Sequence, residues 1–281
     1  FNLPAFFKKL HRAKIFINGG GSLIQDVTSS RSLYFYLFTL WAARISGCRV
    51  IMYGCGIGPI NKQRNRRIAA RILNRNVEVI TLRDSKSMAV LQSMQVTKPQ
   101  VLLSADPTVN FAPAPPERVD KLLKDLKLER NTPTVGFCLR NWPGFDHPEY
   151  FAAAAEHAYR HYGLIPVFIP IELPRDLEAA SAVADLLKIP YRISQERYPA
   201  GELIGLFGSM KLVIGMRLHS LIFASSAGTP VIGVSYDVKV DSFIHDIGST
   251  ACLSLGSFTA ESLIREIDIQ AKRGFVQASQ A

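Results

Sequence analysis

The sequence predicts an α/β protein of two doubly wound domains that face one another across a cleft. Three observations point there. Short β-rich runs alternate with helical stretches through all 281 residues, as in a parallel sheet wrapped by helices. The runs are continuously apolar, as in strands buried on both faces. The pattern breaks once, between Pro107 and Pro116, where Pro113, Pro115 and Pro116 crowd together. Prolines so dense continue neither a helix nor a central strand. The reading is a first domain over 1–112, a linker and entry helix over 113–130, and a second domain over 131–281.

Lys14–Asn18 reads as the first strand and ends in Gly19-Gly20-Gly21. A helix over Arg31–Ser46 stops at Gly47, a residue suited to the left-handed turn past a helix end. Its apolar run Leu33–Ala43 falls short of the ~18 residues that cross a bilayer and reads as a buried helix. The strand Arg49–Tyr53 runs into Gly54, Gly56 and Gly58, which miss the G-x-G-x-x-G dinucleotide spacing. A basic helix over Lys62–Leu73, a strand over Val77–Leu82, a helix from Ser85 and a strand over Val101–Ser104 follow. The second half restarts with strands over Thr134–Leu139, Leu164–Ile169, Lys211–Ile214 and Val231–Ser235. Helices are expected over Pro148–Tyr162, Asp176–Leu187, Gly201–Phe207, Leu218–Ala227 and Ser257–Lys272.

A chain 48% hydrophobic and 20% charged is not a disordered tail. Its formal charge of +10 attracts anions: nucleic acid, a lipid surface or phosphorylated small molecules. Basic residues concentrate over 62–75 and 121–130, without the interleaved aromatics of RNA binders, so nucleic acid is not an expected partner. A solvated basic face is the plain reading, and peripheral contact with an anionic membrane competes with it. Cys48, Cys55, Cys138 and Cys252 form no C-x-x-C pair and no zinc-spaced cluster. They read as reduced thiols of a cytoplasmic protein with no metal site. The start at Phe1, without a signal-peptide pattern, suggests a segment ahead of this numbering.

Ligands of such sheets sit beyond the carboxyl ends of the strands, so residues just past each strand are the candidates. Gly19, Gly20 and Gly21 would let backbone approach a ligand and, opening onto a helix, cradle an anion; a tight turn is the plain alternative. In Arg83-Asp84-Ser85, either of the last two suits an N-cap. Arg83 opposes the helix dipole, which an anion placed between would reconcile. Asp106-Pro107 reads as a stop signal. Arg140, followed by Asn141-Trp142, ends a strand. Arg217 and His219 follow another, and in an extended turn residues two apart project to one side, into the cleft. His11, His147, His157, His161 and His245 read as surface or packing residues.

Gly19-Gly20-Gly21-Ser22-Leu23, Arg83-Asp84-Ser85, Ser104-Ala105-Asp106-Pro107 and above all Gly215-Met216-Arg217-Leu218-His219-Ser220, with Ser235-Tyr236-Asp237-Val238-Lys239-Val240 downstream, resemble the polysaccharide pyruvyl transferases. The likeness spans essentially the whole chain and is greatest to bacterial cell-wall enzymes acting on N-acetylmannosamine. Family members carry a further N-terminal strand and Gly/Asn loop ahead of this region. The resemblance implies a glycosyltransferase-B-like pair of Rossmann-like domains. It implies transfer of pyruvate from phosphoenolpyruvate to a sugar as a 4,6-ketal, with release of phosphate and without a cofactor. The acceptor would be a lipid-diphosphate-linked disaccharide at the inner membrane face, for secondary cell-wall polymers that anchor S-layer proteins. His219 and Arg217 would be catalytic; Arg83, Arg140, Leu218, Ser220, Gly19, Gly20, Gly21 and Lys239 would bind substrate. His219 would protonate the methylene carbon, and guanidinium forks would hold carboxylate and phosphate.

Two rivals stand beside this reading. A glycosyltransferase or sugar-nucleotide epimerase on the same scaffold would need a ribose-gripping carboxylate, and Arg217–Pro230 contains no acid. A non-catalytic polysaccharide-binding protein would release no phosphate from phosphoenolpyruvate.

Overall fold

A computed structural model describes residues 2–275. The chain divides into two compact units, Phe1–Pro107 and Thr108–Ala281. The first carries a parallel sheet of β1 (Ile15–Gly19), β2 (Arg49–Cys55), β3 (Val79–Leu82) and β4 (Gln100–Leu103), in that order. Its helices are α1 (Leu3–Leu10), α2 (Ser30–Ile45), α3 (Gln63–Asn76) and α4 (Ser85–Ser93). Right-handed crossovers between strands laid down in chain order put their helices on one face. There Val50, Met52, Ile80 and Leu82 form a core with Leu33, Leu37, Leu40, Ala69, Leu73 and Leu91. The sequence reading of cover on both faces meets this sheet on one side only, for Ile15, Ile17, Tyr53 and Leu102 are exposed.

α3 starts without a side-chain cap of its own. Asp26, buried in the loop before α2, supplies one from a distance. It accepts from the backbone N of Asn61 at 2.7 Å and of Lys62 at 3.1 Å, and from Asn65 Nδ2 at 2.8 Å. Burial pushes this carboxyl up, but the three hydrogen bonds outweigh it and hold the group below its ordinary value. A depressed folded pKa adds stability that is complete above the unfolded value and lost as pH falls through the folded one. The stability difference between the native chain and Asp26→Asn is therefore expected to narrow from neutral pH to about pH 3, as melting curves would show.

The second unit holds a six-stranded parallel sheet in the order β10-β9-β8-β5-β6-β7. Its strands are β5 (Thr134–Cys138), β6 (Ile165–Phe168), β7 (Arg192–Ile193), β8 (Leu212–Gly215), β9 (Val231–Ser235) and β10 (Cys252–Ser254). Its helices are α5 (Pro116–Asp125), α6 (Pro148–Tyr162), α7 (Arg175–Ala184), α8 (Ala200–Gly208), α9 (Leu218–Ser226), α10 (Val238–Asp246) and α11 (Ala260–Gln270). Strand order reverses beside β5, so this sheet is doubly wound. One core gathers Phe137, Phe151, Phe168, Ile214 and Leu263; a second gathers Val167, Leu206, Phe207, Val213 and Ile222. Residues 113–130, read as a linker and entry helix, lie within this unit. Pro116 opens α5, a position where its missing N–H costs nothing. Val119 and Leu123 join the second core, and Arg118 Nε meets Glu202 Oε1 at 2.7 Å.

Candidate active site

In the first unit the glycine run closes a turn. Gly20 and Gly21 have φ of +75° and +65°, values that favour glycine. Gly20 N donates to Tyr53 O at 3.1 Å, and Gly56 N to Gly21 O at 2.9 Å. No helix opens from Gly19, Gly20 and Gly21, because α2 begins only at Ser30. The expectation that these glycines open onto a helix is thus corrected: they form a turn that leads into a loop. Gly56 packs the strand ends tightly, since a Cβ there would stand 2.5 Å from Ser22 Oγ.

Arg83, placed just past β3, is 6% exposed at its side chain. Its Nη1 donates to Asp106 Oδ2 at 2.7 Å, and Nη2 lies 3.4 Å from Ser22 Oγ. Asp84 is the α4 N-cap and accepts from Ser87 N at 2.7 Å. The anion that offsets Arg83 at the helix start is thus a protein carboxylate. Asp106, read as a stop signal, is that partner.

In the second unit the residues past β5, β8 and β9 meet where strand order reverses. Arg217 is the N-cap of α9 and is extended, with φ −84° and ψ 124°. Its Nε donates to Asp176 Oδ2 at 2.9 Å, and its Nη2 to Asp176 Oδ1 at 2.5 Å and Glu172 Oε2 at 2.7 Å. Burial lowers the Arg217 pKa, but these carboxylates outweigh it and raise the guanidinium above its ordinary value. Arg217 in turn holds Glu172 below the usual carboxylate range. Asp176 is fully buried and also accepts from Ile171 N and Glu172 N, at 3.2 and 2.8 Å. The fork expected to grip a ligand is engaged by Asp176 and Glu172. The extended geometry also stops there: Leu218 begins the helix, so the side-by-side projection of Arg217 and His219 does not hold.

His219 is exposed on the first turn of α9, its ring centroid 5.9 Å from that of Phe223. Ser220 is fully buried and its hydroxyl donates to Arg217 O at 2.6 Å, at the start of the helix. Leu218 is half-buried against the second core. Lys239, in the first turn of α10, has Nζ 3.7 Å from Asp237 Oδ2. No side chain caps α9, leaving the positive end of its dipole toward the strand ends.

Arg140 differs from the other two arginines. Among the described residues it makes no ion pair. Its Nη1 donates to Tyr236 Oη, and its Cζ lies 4.3 Å from the Trp142 ring centroid and 5.0 Å from that of Tyr236. The guanidinium is therefore held by aromatic faces rather than by an ion pair, with Glu172 near enough to feel its charge. Trp142 and Tyr236, with ring centroids 4.7 Å apart, line a cavity of about 360 Å³ with Asp237, Asp241 and Ser254. The sequence reading missed Glu172, Asp176 and the aromatic pair as site residues. Carboxylates four apart just past a strand were the available signal for the first two.

All four cysteines are free. Burial pushes the Cys55 and Cys138 thiols up to about 12, which removes them as nucleophiles at neutral pH. Among the described residues no group of three His, Cys, Asp or Glu side chains is placed to hold a metal.

Two parallel α/β units, one in the Rossmann order with polar groups at its strand reversal, define a glycosyltransferase-B-like protein. The UDP-GlcNAc 2-epimerase of Methanocaldococcus jannaschii has the same fold, with a TM-score of 0.65 and 14% identity over 95% of this chain and 73% of that one. So does Anabaena HepE, solved with UDP and glucose: TM-score 0.53 and 14% identity over 99% and 78%. The polysaccharide pyruvyl transferase family model matches residues 2–238, and the chain belongs to that family. A relative is the amylovoran biosynthesis protein AmsJ of Erwinia amylovora, 25% identical over 266 residues and 88% of this chain. The match spans 62% of that relative's length.

Proposed function

We propose that this chain transfers pyruvate from phosphoenolpyruvate to a saccharide as a 4,6-ketal, releasing phosphate. Family membership supports the reaction class, and Arg140 is the observation that carries the site. A doubly charged donor needs cations not already matched by protein acids, and Arg83 and Arg217 are both matched. Arg140 presents a guanidinium for a carboxylate or phosphate. The uncapped α9 N-terminus suits a second anionic group, and Lys239, joined to Asp237 only by a long, exposed 3.7 Å ion pair, can exchange that partner for it. His219 gives its proton to the methylene carbon, leaving an oxocarbenium-like centre. One sugar hydroxyl adds to that centre and its proton returns to His219; the C–O bond to phosphate then breaks, and the second hydroxyl closes the ring, its proton leaving with the phosphate. The Trp142–Tyr236 cavity suits the saccharide, with apolar ring faces to stack on and the Asp237 and Asp241 carboxylates to accept from hydroxyls. We take the acceptor to be N-acetylmannosamine of a lipid-diphosphate-linked disaccharide, on the strength of the motif resemblance.

The test is phosphate release from phosphoenolpyruvate with and without acceptor. Release is expected to require the acceptor, and the product to gain the mass of a pyruvate ketal. Arg140→Lys keeps the charge but loses the fork and the ring stacking, so the phosphoenolpyruvate KM is expected to rise about tenfold. A product heavier by a hexose would identify a glycosyltransferase. Saccharide binding without phosphate release would identify a binding protein.

A further inference from the structure

α2 has no polar face. Leu33, Leu37 and Leu40 are buried in the first unit's core. The opposite stripe is Arg31, Tyr34, Phe35, Phe38, Trp41 and Ile45, spaced as one side of a helix. A helix apolar all round belongs in an interior or against lipid. Here Phe35 is 41% exposed, Trp41 40% and Ile45 56%. The run Leu33–Ala43, read from sequence as a buried helix, is buried on one side only.

Its neighbours extend the surface. On α1, Phe7 meets Phe38 edge-on at 6.4 Å, and Leu3, Lys8 and Lys9 are exposed. On α3, Asn65 accepts from Tyr34 Oη at 2.6 Å. The same helix exposes Arg64, Arg67, Arg71 and Arg75 along one side, none of them in an ion pair among the described residues. Residues 1–76 hold thirteen lysines and arginines against one acid, Asp26, whereas 77–281 hold twenty against twenty-two. That single acid is buried. The positive excess of the whole chain thus sits in the segment that builds this helical layer.

We propose that the α1–α2–α3 face docks on an anionic phospholipid surface. The aromatic stripe enters the headgroup region and the α3 arginines lie over lipid phosphates. Helices with basic flanks and aromatic faces lie in this way in the plane of a membrane interface. No helix among the described residues is long and apolar enough to cross a membrane, which fits a surface contact. A second copy of the chain would bring the same positive charge to the contact, so charge selects lipid over self-association. The inference rests on this surface alone and is independent of the transfer reaction.

Flotation of the full chain with phosphatidylcholine vesicles, with and without about one-third phosphatidylglycerol, tests it without any substrate. Binding is expected to need the anionic lipid and to weaken with salt. Each basic residue near the surface accounts for about fivefold in partitioning. The double variant Arg67→Glu/Arg71→Glu is therefore expected to lose more than tenfold, and Trp41→Ser about tenfold. Ile17→Thr, on the open sheet face, is expected to bind normally. The chain has two tryptophans, Trp41 and Trp142, so in a Trp142→Phe background the emission of Trp41 is expected to shift to the blue on anionic vesicles. That readout needs no destabilising change in the face itself. Full binding by folded Trp41→Ser, loss in Ile17→Thr, or self-association that Trp41→Ser abolishes would each overturn the proposal.

Discussion

Arg217→Met is expected to lower the stability of the chain by about 3–5 kcal/mol, because it leaves a buried carboxylate without its counter-charge. Asp176 is fully buried, and without Arg217 its remaining donors are the backbone N–H groups of Ile171 and Glu172. Glu172, 44% exposed at its side chain, adds little to this energy, since solvent screens it. Arg217→Lys should recover part of the loss, because an ammonium supplies charge without the fork that engages both Asp176 oxygens. The double variant Asp176→Leu/Arg217→Met should recover more, since apolar replacement of a buried pair is often neutral or stabilising. Urea midpoints of the four proteins measure this directly. If Arg217 instead gripped the donor, Arg217→Met would keep the native midpoint and raise only the phosphoenolpyruvate KM.

The same pair shows where sequence reading stops. The second-unit strands were legible because β5, β8 and β9 are buried along their whole length and so leave continuous apolar runs. α6 was legible to the residue, since Pro148 can open a helix and Gly163 at φ +67° ends it. The edge strands β7 and β10, of two and three residues, are too short to leave a pattern, and α1 and α10 went unread. Pro116 opens α5, the helix expected within 113–130, while the two units divide earlier, between Pro107 and Thr108. At the site, position along the chain picked out all three arginines that end strands. It could not show what each one faces: Asp106 lies 23 residues from Arg83, and Asp176 lies 41 from Arg217. Pairing across such separations is fixed by strand order, and it moves the emphasis from Arg217 to Arg140.

His219→Ala is expected to cut turnover by about 10²–10⁴-fold while leaving the fold intact, the range a general acid contributes. The two halves of that expectation have separate causes. His219 is exposed on α9, so its truncation opens no cavity, unlike the change at the neighbouring, fully buried Ser220. An acid that protonates carbon must carry its proton in the enzyme–substrate complex, so kcat should fall as pH rises in the native protein. That alkaline limb should be missing from the residual activity of His219→Ala. Imidazole added to the variant should restore part of the rate, whereas a merely structural role would respond to neither pH nor imidazole. Near-native turnover by a folded His219→Ala protein would move the proton donor elsewhere, with Lys239 as the next group to replace.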